Sequence, residues 1–98
     1  MLAACASPPH LQRPLTFRPD DQFTPTIRAA DRAIAEAKAA GAATVLDARY
    51  PLARAEAYVL NAKEEYAEGD PGDDTERYAK TALQAAQEAL RIARAQRR

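Results

Sequence analysis

The sequence predicts an all-α fold: an antiparallel up-down-up three-helix bundle preceded by an extended Pro-rich N-terminal tail. Three observations predict it. Pro25, Gly41, Pro51, Gly69 and Gly72 punctuate the chain into three stretches of helical length. Within each stretch, apolar residues recur at three- and four-residue intervals. Ala supplies about a quarter of the 98 residues, far above ordinary usage, whereas Pro8, Pro9, Pro14 and Pro19 crowd the first part. Proline fixes φ and lacks an N–H, so that first part resists both helix and central strand.

Residues 1–23 are therefore read as a tether. At about 3.1 Å per residue in a polyproline-like conformation, some 18 residues span on the order of 50 Å. The alternatives are a disordered leader, or a segment whose Leu15, Phe17 and Phe23 fold back on the helices. The first helix is expected over about 25–40, with Thr24 as N-cap, Pro25 at the first helical position and Gly41 as the left-handed terminator. Ile27, Ala30, Ile34 and Ala37 form its apolar face. Residues 42–50 read as a linker with a helical turn near Thr44 to Ala48, in which Val45 and Leu46 plug the end of the bundle.

The second helix is expected over about 51–68, starting on Pro51. Leu52, Ala55, Val59, Ala62 and Tyr66 repeat along it, with Tyr58 widening the stripe. Gly69-Asp70-Pro71-Gly72 is a turn by composition. The third helix is expected over about 74–96, with Asp73 as cap and Glu76 completing a capping box. Ala79, Leu83, Ala86, Leu90 and Ala93 form its apolar face, flanked by Ala82, Ala89 and Ile92. Short connections make neighbouring helices antiparallel, and Ala on the facing stripes lets their axes approach closely.

Composition limits the rest. A domain of about 75 residues with few large apolar side chains and no Trp has a thin core. Fourteen basic residues balance fourteen acidic ones, so no global field favours nucleic acid. No apolar run approaches the roughly 20 residues of a membrane span. A single Cys excludes an intrachain disulfide framework.

Candidate chemistry is sparse, and no enzyme activity is expected. Cys5 and His10 are the only thiol and imidazole, too few for a site built on Cys and His ligands or for a nucleophile–base set. Asp70, Asp73, Asp74 and Glu76 crowd one turn and are weak candidates for a calcium ion. Their spacing differs from that of a calcium loop, so a capped acidic turn is the simpler reading and no cofactor is expected. Glu36, Glu56 and Glu88 sit among basic residues at helical spacing, as on a solvated face. Tyr50, Tyr58, Tyr66 and Tyr78 could offer stacking surfaces to a partner, though Tyr in small bundles more often lies at the core boundary with its hydroxyl wet. Arg91, Arg94, Arg97 and Arg98 complement the negative end of the third helix.

Leu2-Ala3-Ala4-Cys5 resembles the lipobox that bacterial lipoprotein signal peptidase reads: small residues beside the cleaved bond, then the thiol that carries the lipid. The resemblance implies that Cys5 is the lipidated residue of an envelope protein. The basic and apolar segments of a secretory signal do not precede Cys5 here, so this reading places them upstream of Met1. The alternative is a free Cys in the tail. Ala6, where an inner-membrane retention signal has Asp, directs the expectation to the outer membrane.

The spacing Ala29, Ala33, Ala37, Gly41-Ala42, then Tyr50-Pro51-Leu52, Ala55, Ala62, then Gly69-Asp70, Tyr78-Ala79, Ala82, Ala86, Ala89, Ala93 resembles the short Ala-rich helical domains of unknown function found in bacterial envelope lipoproteins. It covers about residues 26–95. In that family such a domain often follows a lipobox and can precede a peptidoglycan-binding domain. This chain departs from it in a longer acidic turn from Gly69 to Asp74 and in having no such domain before Arg98, which removes a direct peptidoglycan link. The resulting expectation is a non-enzymatic, lipid-anchored structural or interaction module on the periplasmic face of the outer membrane. Its partner is an envelope protein or a peptidoglycan-associated one, with homo-oligomers open. The alternative is a soluble cytoplasmic adaptor that pairs through its Ala-rich faces.

Overall fold

The computed structural model describes residues 23–69 and 73–96. The expectations for Cys5, His10, Leu15, Phe17, Asp70, Arg97 and Arg98 lie outside the described residues. Three helices follow one another: α1 (Pro25–Ala39), α2 (Leu46–Ala67) and α3 (Asp73–Gln96), with a short 3-10 turn at Ala42–Thr44. Cross-helix contacts fix their directions. Asp31 pairs with Lys63 and Lys38 with Glu56, so α1 and α2 run antiparallel. The Tyr58 ring meets Tyr78 while Tyr50 lies across from Glu88, so α2 and α3 are antiparallel too. The Thr26 hydroxyl donates to the Glu76 carboxylate, so α1 and α3 start at the same end. The chain is an up-down-up three-helix bundle.

Local signals explain both ends of α1. The Thr24 side chain accepts a hydrogen bond from the Ile27 N–H at 3.2 Å, which satisfies one of the first unpaired donors. At the other end Gly41 adopts φ +95°, and its N–H donates to the Lys38 carbonyl at 2.9 Å. Only glycine takes that conformation without a side-chain penalty. Gly69 ends α2 the same way at φ +87°, with its N–H on the Tyr66 carbonyl.

The second helix differs from its expected start. It begins at Leu46, so residues 46–50 are helical and Pro51 lies inside the helix. Proline at the sixth position removes one bond, from its own nitrogen to the Asp47 carbonyl, close to the helix end. Burial compensates locally: Ala48 is fully buried and extends the Leu52, Ala55, Val59, Ala62 stripe by one step. No side chain caps this end; the Ala48 N–H instead donates to the Val45 carbonyl at 2.9 Å. Val45 packs against the core, but Leu46, expected to plug the bundle, is 76% exposed.

The third helix starts at Asp73, which places that residue in the first turn, not at the cap position. Glu76 is engaged by Thr26 of α1, so its carboxylate ties two helix starts together in place of the expected capping box. The apolar face is also turned from the expected one. Thr75, Ala79, Ala82, Ala86, Ala89 and Ala93 are all wholly buried, with Ala85 beside them, whereas Leu83 and Leu90 are half-buried. Sterics account for the rotation. Thirteen of the seventeen buried apolar residues are Ala, so the axes come close only where small side chains face each other. The larger Leu83, Leu90 and Ile92 are displaced to the edges, where they cover the seam.

Candidate interaction surface

The four tyrosines do not share a surface. Tyr58 and Tyr78 bridge α2 and α3 with ring centroids 6.0 Å apart, and each lies under an arginine: Arg54 at 4.9 Å and Arg77 at 5.7 Å. Tyr66 meets the Phe23 ring edge-on at 5.7 Å, and Lys63 lies over that ring at 5.4 Å. Phe23, assigned to the tether by sequence, thus packs on the bundle. These three tyrosines are half-buried and do structural work with amphipathic side chains. Tyr50 is different. It is 73% exposed and stands on the far side of α2 from the core.

The acidic turn is dispersed. Asp74 pairs with Arg77 at 2.7 Å, Glu76 bonds Thr26, and Asp73 is exposed. Among the described residues no group of three His, Cys, Asp or Glu side chains is placed to hold a metal ion. At the basic end, Arg91 pairs with Glu88 at 3.5 Å and Arg94 is exposed. Among the described residues no helix is long and apolar enough to cross a membrane.

Two features of the surface remain. An open groove of about 320 Å³ runs between α2 and α3, with Tyr50, Arg54, Gln84 and Glu88 on its rims and Ala85 in its floor. Beside it, Leu46, Tyr50, Ala53, Ala57 and Leu60 are all exposed. Their spacings of four, three, four and three residues put them on one line along α2. At 100° per residue that line lies opposite the buried Ala48, Leu52, Ala55, Val59 and Ala62. The second helix therefore carries two apolar stripes, back to back. Sequence reasoning found only the inward one. The same seven-residue count begun at Leu46 finds the outward one, but taking Pro51 as the helix start hides its first two members.

No family model, no curated protein and no solved structure matches the chain.

Proposed function

We propose that the chain is a non-enzymatic, lipid-anchored bacterial envelope protein, tethered to the periplasmic face of the outer membrane through Cys5. Its three-helix bundle is the structural or protein-interaction module that the anchor presents. The observation that carries this reading is Leu2-Ala3-Ala4-Cys5 followed directly by the proline-rich stretch. Acyl chains would attach through the Cys5 sulfur, and a proline-rich composition suits a spacer through which a bundle could reach a partner from the membrane. A tether raises the local concentration of whatever surface it carries, which suits a module that works by contact. The exposed Leu46, Tyr50 and Leu60 support a contact role for the bundle, with an envelope protein or a peptidoglycan-associated protein as partner.

The same exposed residues favour a second reading, a cytoplasmic helical adaptor, because pairing through α2 needs no lipid. One experiment separates the two. Expressed with its native upstream region in a diderm bacterium, the protein incorporates labelled palmitate and fractionates with outer membranes, and Cys5→Ser abolishes both. Labelling that survives the substitution, or an unlabelled protein in the cytosolic fraction, contradicts the anchor.

A further inference from the structure

We infer that the outward stripe of α2 is the seam of a homodimer, in which α2 packs antiparallel against α2 of a second copy. This takes the interaction-module part of the proposed function as its premise and is independent of the anchor. The stripe has the composition of a helix–helix seam: Leu46, Tyr50, Ala53 and Ala57 at alternating four- and three-residue steps, extended one turn further by Leu60. All five are exposed, and three of them are large. A helix that only covered a core would show polar residues on this side.

Size and charge select the occupant and its register. Consider two copies of α2 antiparallel about a two-fold axis, with Tyr50 of one opposite Ala53 of the other. Leu46 then falls opposite Ala57 of the second copy, so each of these layers sets a large side chain against a small one, and Leu60 lies beyond the paired layers. The flanking charges agree. On one side of the seam Arg49 faces Glu56 of the second copy, and on the other Asp47 faces Arg54 of the second copy. The two-fold axis repeats each pair, giving four attractive pairs. Competing arrangements fail on the same residues. Sliding the helices by one heptad sets Arg54 against Arg54 and Glu56 against Glu56. A parallel in-register pair sets Arg49 against Arg54. Like charges across a seam select against both.

The groups needed are accessible. Arg49, Asp47 and Arg54 are exposed, and Glu56 is half-exposed, holding Lys38 of its own chain at 2.6 Å. Neither α1 nor α3 buries the stripe: α1 reaches the Glu56 and Lys63 flank, and α3 the Arg54 and Tyr58 flank, where Tyr50 and Leu46 border its residues yet stay 73% and 76% exposed.

The test is sedimentation equilibrium of the full 98-residue chain in reducing buffer, so that Cys5 cannot cross-link copies. The wild type is expected to self-associate to a dimer in a concentration-dependent way. Arg49→Glu and Glu56→Arg each turn two attractive pairs repulsive and weaken the dimer by about tenfold or more while helicity is retained. The double substitution restores it. Mixing the two single variants also restores association, because each heterodimer regains opposite charges at both pairs. A wild type that stays monomeric leaves the stripe to a helix of another protein and overturns the proposal. Single variants that dimerise as the wild type does, or a mixture that fails to associate, overturn it as well. Palmitate labelling reads the anchor separately, so either idea can fail alone.

Discussion

Ala55 and Ala57 stand two residues apart on α2, yet the first is wholly buried and the second is exposed. Each belongs to an apolar stripe with the same alternating spacing and much the same residues. The inward stripe is covered by α1 and α3, and the outward one is left exposed by both. Helical periodicity therefore reports that a seam exists, without saying which helix fills it. In α1 and α3 only one stripe is present and the question does not arise. In α2 the answer depends on where neighbouring helices lie, which is a property of the fold and not of the segment.

The sharpest way to break this comparison is to place the same charge on each stripe. Ala55→Glu buries a carboxylate with no partner and is expected to destabilise the monomer by about 3 kcal/mol or more. Ala57→Glu keeps the helix and its core, so it shifts monomer stability by less than about 0.5 kcal/mol. Urea melts at low protein concentration measure both. Equal losses would mean that the two sides of α2 are equally buried.

A smaller effect sharpens the account of the core. Ala82 is wholly buried on the inward face of α3, whereas Leu83 is half-buried at the margin of the core. Ala82→Leu forces the axes apart and is expected to lose about 1–3 kcal/mol. Leu83→Met keeps its volume in a half-buried position and changes stability by under about 1 kcal/mol. The same melts read both. The reverse order would show that Leu83, not Ala82, points inward.

Much of this architecture is legible from punctuation. Thr24-Pro25, Gly41 and Gly69 mark helix ends because each solves a local problem of unpaired backbone groups or of left-handed φ, with no help from distant residues. What needed the fold was everything set by packing. Pro51 reads locally as a first helical residue, but the burial of Ala48 draws the helix a turn further back. Leu83 and Leu90 read as the interior of α3 because they fall in the helical repeat of Ala79, Ala86 and Ala93; in an Ala core, size moves them to the margin. Thr75, wholly buried at the start of α3, gives no sign of it in its polarity. Among the proposed contact residues, Tyr50 reads as a candidate surface, Leu46 reads as a plug for the bundle end, and Leu60 falls outside the expected stripe. An apolar residue outside the expected stripe reads as incidental until its exposure is known.

The two-faced character of α2 is tested most directly by thermal melts at two widely separated protein concentrations, in reducing buffer. If the outward stripe binds a second copy, Tm rises with concentration, because association stabilises the folded chain by mass action. Ala57→Glu, which sets a carboxylate opposite Leu46 of the second copy, makes Tm independent of concentration and leaves the low-concentration Tm in place. A wild-type Tm that does not move with concentration would contradict the account.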